Sequence, residues 1–273
     1  MTYRHIEVER RGAIEIVRLN RPRYRNAQSR IMLEEMTQAF ARADLDNDVR
    51  VVVLAAAGEH FSAGHDLGTP EEVADAETKP FGEGMLGRVN RSWHLYIENS
   101  LRWRDVKKPT IAQVQGLCIY GGFILASCMD VIFASDDAKF LPTHLQLHTA
   151  PWDMGIRNAK RILFENRFIP AEEARTLGLV SEVVPRDQLE DAVMAQAERW
   201  AATDLLTLRM LKHSINLTQD AQGFRVATHA AHSAYMVREI INHVEGSGGR
   251  LPGKRRMSLV EDALAKENSS TKS

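Results

Sequence analysis

Apolar positions recur with two different periods along this chain, and the change of period marks out its elements. In His5-Ile6-Glu7-Val8 and in Ala13-Ile14-Glu15-Ile16-Val17 they alternate, which predicts two half-buried strands with Arg11-Gly12 as the turn. Pro22 ends the second strand, because it has no amide hydrogen to give to a sheet. The spacing then becomes helical, with Met32, Met36, Ala39, Phe40 and Ala43 on one stripe and Ser29 placed to cap its start. Arg50-Val51-Val52-Val53-Leu54 is a short, nearly unbroken apolar run, as in a strand covered on both faces.

Small residues dominate from Gly58 to Gly68 and predict a loop. Thr69 to Lys79 is acidic and polar, so a mobile surface segment is expected there. Trp93, Tyr96, Ile97, Leu101 and Trp103 fall at helical spacings and predict one long helix over Leu86 to Val106. Thr110 to Val114 reads as a strand, Gly121 to Met129 as a buried helix, and Val131 to Ala134 as a further strand. From Pro170 the pattern turns mostly helical, with Pro170 at a first helical position and Glu172 and Glu173 in the first turn. Leu189, Val193, Ala197 and Trp200 mark one face of the next helix, and Phe224 to Val244 gives another. Gly246-Ser247-Gly248-Gly249 breaks the pattern, and the charged, Ser-rich tail reads as loosely attached. Pattern alone thus gives an α/β core with a helical last third and no internal repeat.

Composition narrows the class. A chain of 273 residues, 44% hydrophobic and 26% charged, can bury a sizeable core as a globular protein. A formal net charge of -1 offers no basic face, so no nucleic-acid partner is expected. No stretch approaches the roughly 20 apolar residues of a membrane span, so no membrane partner is expected either. The opening residues hold no signal-peptide core, and Cys118 and Cys128 both lie in an apolar run rather than a disulfide framework. A cytoplasmic location is the expectation. No metal-ligand spacing is present, so no bound metal ion is expected.

Two segments carry candidate chemistry. Phe61-Ser62-Ala63-Gly64-His65-Asp66-Leu67 follows a buried strand, and its small residues let backbone approach a ligand, though they equally suit a plain turn. In Lys108-Pro109 through Gly121-Gly122 a strand leads through glycines into a helix start, where unpaired amides suit developing negative charge. The paired glycines have a second reading, in which they only let the helix pack tightly.

Together with Leu19-Asn20-Arg21-Pro22, Asn26-Ala27, Ala171-Glu172-Glu173-Ala174, Leu177-Gly178-Leu179-Val180 and Val183-Val184-Pro185, these segments resemble the crotonase (enoyl-CoA hydratase/isomerase) superfamily over roughly residues 3 to 220. The resemblance implies an α/β crotonase-type spiral of ββα units with a helical C-terminal trimerisation region. It implies a core over residues 1–200, a helical region over 201–250 and a tail over 251–273, assembled as a homotrimer or a dimer of trimers. The implied substrate is an acyl-CoA thioester, with coenzyme A as part of the substrate and no permanently bound cofactor. Its thioester oxygen would sit between the amides of His65 and Gly121. The backbone around Ala63, Asp66 and Leu67 would hold the adenine end, and Arg23 and Arg25 are candidates for the phosphates, or else solvated surface cations.

The family pattern breaks at the acid–base groups. Matching the glycines puts Ile124 where the hydratases carry their first glutamate, and counting on from Phe140 puts His144 at the second. His144 could act as acid or base, oriented by Asp153, a spacing that resembles the His–Asp pair of the superfamily's β-diketone hydrolases. The alternative is a histidine bonded to backbone and an aspartate capping a helix at Met154-Gly155. Decarboxylating members carry the same Ser-Ala-Gly-His-Asp run as this chain, and so do many others; His148 is a further candidate. Hydratase/isomerase-type chemistry, that of a lyase with non-standard acid–base residues, is the leading expectation. β-Diketone hydrolysis, malonyl-type decarboxylation and acyl-CoA binding without catalysis stand behind it.

Overall fold

A computed structural model describes residues 2–142, 149–244, 261 and 263–265. The alternating start forms strands β1 (Ile6–Arg11) and β2 (Ile14–Leu19), which pair antiparallel across Gly12 at φ 58°. Helix α1 (Arg30–Leu45) follows, and the Ser29 hydroxyl accepts from Met32 N at 3.1 Å as its cap.

β2 starts a parallel run through β3 (Val51–Ala56), β4 (Thr110–Val114), β6 (Val131–Ser135) and β9 (Glu182–Val184), completing a six-stranded sheet with β1 at its edge. A second sheet holds β5 (Leu117–Ile119), β7 (Lys139–Leu141) and β8 (Ile169–Pro170). β4 leads directly into β5, and β6 into β7, so each of these two turns of chain adds a strand to both sheets. This is the spiral of ββα units that the motifs imply.

Side-chain alternation in the large sheet divides the core. Val52, Leu54 and Ala56 face one side with Val17, Leu19, Ala112 and Val114, against α1 and α5 (Gly121–Ser127). Val51, Val53 and Ala55 face the other with Ile14, Ile16, Ile111 and Phe133, against Leu189, Val193 and Ala197 of α9 (Leu189–Ala201). A strand buried on both faces needs a continuous apolar run, and β3 has one.

Several expectations change. Thr69 to Lys79 is not a loose segment: α2 (Pro70–Glu77) occupies it, capped by the Thr69 hydroxyl. The long helix is α3 (Gly84–Ser92), a π-helical turn (Trp93–Glu98) and α4 (Asn99–Arg104) in succession. Pro170 closes β8 and stands just before α8 (Ala171–Thr176), rather than inside it. Lys108, a motif residue, is fully buried and its ammonium donates to the carbonyls of Ala43 and Asp46, satisfying orphan groups at the end of α1.

After α6 (Ala150–Asp153) and α7 (Ile156–Glu165), the last third holds α9, α10 (Leu205–Ala221) and α11 (Phe224–Val244). Lys212 ties α10 to the core, donating to Lys108 O at 2.9 Å and to Asp130 at 2.8 Å. Most of the tail over 251–273 lies outside the described residues.

Candidate active site

The two chemistry-bearing segments meet because the loop after β3 pairs with β5 as a rudimentary strand. Phe61 N donates to Gln115 O at 2.8 Å, Ser62 N to Leu117 O at 3.0 Å, and Ile119 N to Ser62 O at 2.9 Å. Residues 63–65 therefore run beside 119–121. Gly64, at φ +90°, makes the approach possible: a Cβ there would lie 2.9 Å from Ile119 O and 3.3 Å from Gly121 N.

Tyr120 sits at φ 46°, ψ -101°, a conformation that costs a non-glycine residue roughly 1–3 kcal/mol. Two bonds hold it: its N–H donates to Leu141 O at 2.8 Å, and its carbonyl accepts from Ile124 N at 3.0 Å. The turn delivers Gly121 as the first residue of α5. Gly122 is a packing glycine, since a Cβ would lie 2.7 Å from Ser62 O. At Gly121 a Cβ would meet Gln28 Oε1 at 2.5 Å and the His65 ring at 2.8 Å, so this glycine faces the candidate site.

The side chains around Gly121 form a packed cluster. His65 Nδ1 lies 3.1 Å from Gln28 Oε1, and its ring stacks on Tyr96 with centroids 3.8 Å apart. Backbone pairing sets this up, because Gln28 N donates to Gly64 O at 2.8 Å and Asp66 N to Gln28 O at 3.0 Å. The π-helical turn brings Leu95 and Tyr96 to the same place, beside Leu33, Ser100, Trp103, Ile124 and Leu125. The void left among these residues is about 10 Å³, at the lower limit for one water molecule. Ile124 is buried in this wall and has no group to move a proton.

Asp66 has a different task. Its carboxylate accepts from Gly68 N at 3.0 Å, Thr69 N at 2.8 Å, the Thr69 hydroxyl at 2.6 Å and Arg21 at 2.8 Å. Burial pushes its pKa up, but the bonds from Thr69, Gly68 and Arg21 outweigh burial and hold it below the usual value. Ala63 N donates to Arg25 O at 2.9 Å, and Leu67 is exposed. Arg23 and Arg25 are exposed in the same loop, and neither has an ion pair among the described residues.

His144 and His148 lie outside the described residues. Asp153, at the end of α6, does not line the void beside Gly121. It lines a separate cavity of about 430 Å³ between the C-terminal end of α5 and α10, with Ser127, Thr149, Leu211 and Ile215. Nor does it cap α7, whose N-cap is Gly155. Although the residue is only partly buried, its carboxyl is desolvated, which pushes its pKa up to about 7. Among the described residues no cluster of His, Cys, Asp or Glu could hold a metal ion.

Sequence reading missed Gln28 and Arg21 as site residues. Gln28 gave no signal beyond its place next to Asn26-Ala27. Arg21 stood inside a quoted motif, but nothing local shows that it ends against Asp66, 45 residues on.

The comparisons agree with this architecture. The sequence profile of the enoyl-CoA hydratase/isomerase family matches residues 9–249. EchA13 of Mycobacterium tuberculosis, which carries a provisional enoyl-CoA hydratase name, is 38% identical over 263 residues, covering 88% of this chain and 81% of its own. The crystal structure of a probable enoyl-CoA hydratase from Mycobacterium smegmatis superposes with a TM-score of 0.80 at 36% identity, covering 90% of this chain and 98% of that one. An enoyl-CoA hydratase/isomerase from Xanthobacter autotrophicus Py2 gives a TM-score of 0.76 at 26% identity, covering 97% and 99%. This chain belongs to the enoyl-CoA hydratase/isomerase family and has the crotonase fold.

Proposed function

We propose that the protein is an acyl-CoA-processing enzyme that forms or protonates a thioester enolate, with the thioester oxygen between the amides of His65 and Gly121. The approach of the 62–65 loop to the strained turn at Tyr120, through Gly64, carries this reading. An enolate puts negative charge on the former carbonyl oxygen, and two fixed amides stabilise it without reorganising. In families of enzymes that use such holes, losing one donor costs roughly 3 kcal/mol of transition-state stabilisation.

The reaction is hydratase/isomerase-type with non-standard acid–base residues, because the motif alignment puts Ile124 and His144 where glutamates would act. The backbone at Ala63, Asp66 and Leu67 is assigned the adenine end of coenzyme A. Arg23 and Arg25 are assigned the phosphates, which their exposure and their lack of ion pairs among the described residues support. The assembly is a trimer or a dimer of trimers.

Calorimetry with butyryl-CoA, followed by assay of enoyl-CoA, 3-oxoacyl-CoA and free β-diketone substrates, tests the reading. Binding should weaken roughly tenfold in the Arg23→Ala/Arg25→Ala double variant, as expected for losing charge-assisted phosphate contacts. Turnover of a free β-diketone with none of any thioester would overturn the assignment.

A further inference from the structure

The side chain of His65 has no part in an oxyanion hole built from its amide, yet it is packed and oriented at the site. Its ring lies against Gly121, so that a Cβ on that glycine would sit 2.8 Å from both Cε1 and Nδ1. Any group whose oxygen bonds to the Gly121 amide therefore lies within one side chain's width of this imidazole.

A chain of hydrogen bonds sets the state of the ring. The Ser62 hydroxyl donates to Asn26 O at 2.8 Å, which uses its only hydrogen. Toward its other neighbours the oxygen can then only accept, from Gly64 N at 3.2 Å and from the Gln28 carboxamide, so the Gln28 group 3.3 Å away is its NH2. That orientation leaves Gln28 Oε1 toward His65 Nδ1 at 3.1 Å, and a carbonyl oxygen can only accept. The His65 proton is thereby placed on Nδ1, and in the neutral ring Nε2 carries the lone pair. This is the arrangement by which an acceptor behind one nitrogen of a histidine makes the other a base. Tyr96, stacked on the ring at 3.8 Å, prevents it from turning, and Arg91 in turn donates to the Tyr96 hydroxyl at 3.0 Å.

We propose that His65 is the proton-transfer residue of this enzyme, acting through Nε2, with Gln28 as the positioning residue that fixes its tautomer. The assignment rests on the thioester-enolate reading above. In the step, the bond between hydrogen and the carbon next to the thioester carbonyl breaks and an N–H bond forms at Nε2. The electron pair moves into the new carbon–carbon double bond while the carbonyl pair moves onto oxygen, where the two amides hold it. Return of the proton from Nε2 to that carbon or to a conjugated one reverses or completes the reaction. A base at this position makes the inert Ile124 compatible with catalysis.

Exchange of the α-hydrogens of butyryl-CoA in D2O, followed by proton NMR on the full-length protein, reads this step without a known physiological substrate. The wild type should exchange, and His65→Gln should slow exchange by roughly 10²–10⁴-fold, the range of positioned acid–base catalysis. Gln28→Leu should slow it roughly tenfold or more, and Gln28→Glu, which keeps an acceptor, should retain most of it. Independently, ¹⁵N NMR of histidine-labelled protein should give His65 a protonated Nδ1 and an unprotonated Nε2 in wild type and Gln28→Glu, with the tautomer lost in Gln28→Leu. Wild-type exchange that survives His65→Gln, or is lost in His144→Ala instead, would overturn the assignment alone. No exchange and no butyryl-CoA binding by the wild type would bring down the functional reading, and this inference with it.

Discussion

Asp153 carries an unfavourable charge in the folded chain. Desolvation raises its carboxyl from 3.8 to about 7, and contact with Thr149 offsets only part of this. The folded state therefore binds more protons than the unfolded state between these two values, so stability falls as pH rises through that window and stays lower above it. Asp153→Asn removes the titrating group and keeps the shape. Its urea midpoint should exceed that of wild type at pH 8, by on the order of 2 kcal/mol in stability, and match it near pH 3.5. Equal midpoints at pH 8 would mean that the carboxyl is hydrated. Its nine-residue spacing after His144 carries no information about burial. Its desolvation depends on α10, which is more than 50 residues further along.

Helix α2 shows what hydrophobic periodicity cannot detect. Its one apolar β-branched residue, Val73, is exposed, so the stretch reads as loose. Charges anchor it: Arg30 pairs with Asp75 at 2.6 Å, Arg91 with buried Glu72, and Arg21 with Glu71 at 3.0 Å. The Arg21–Asp66 pair beneath it is almost fully buried, at 3% and 1% exposure. Removing one partner of such a pair leaves an uncompensated charge and costs roughly 3–5 kcal/mol. Arg21→Ala should therefore destabilise the fold by about that amount, with amide exchange over Pro70–Glu77 accelerating ahead of the sheet. Uniform exchange across both regions would show that α2 does not depend on this pair. The π-helical turn at Trp93–Glu98 was equally hidden. Helical spacing was right for the whole stretch, but the extra residue in the turn, which brings Tyr96 to His65, follows from packing.

Over the whole molecule, α10 and α11 expose apolar side chains that the other described residues do not cover. Leu206, Met210, Leu211, Ile215 and Leu217 are each more than half exposed on α10, as is Val226 on α11. Exposed apolar side chains grouped on one helix suit an interface, and the proposed trimer or hexamer would cover them. Light scattering at micromolar concentration should give three or six times the chain mass of 30.7 kDa. Met210→Glu/Ile215→Glu, placing charges in the patch, should shift the protein toward monomer while leaving its circular dichroism unchanged. A wild-type mass of one chain would count against the assembly.

Strands β1 to β4, the cap at Ser29, the buried stripe of α1 and the span of α11 were legible in the chain itself, because each depends on neighbours within a few residues. The motifs at 61–67 and 108–122 likewise identified the family and put Gly121 and His65 forward as candidates. Tertiary structure decided which groups these segments meet. The pairing of Gln28 with His65, the stacking of Tyr96 and the anchoring of α2 by arginines join residues 19 or more apart, and the separation of Asp153 from the void at Gly121 is likewise set by packing. Periodicity records which face of an element is buried. It cannot record what lies opposite, since that depends on how the two sheets wind past one another.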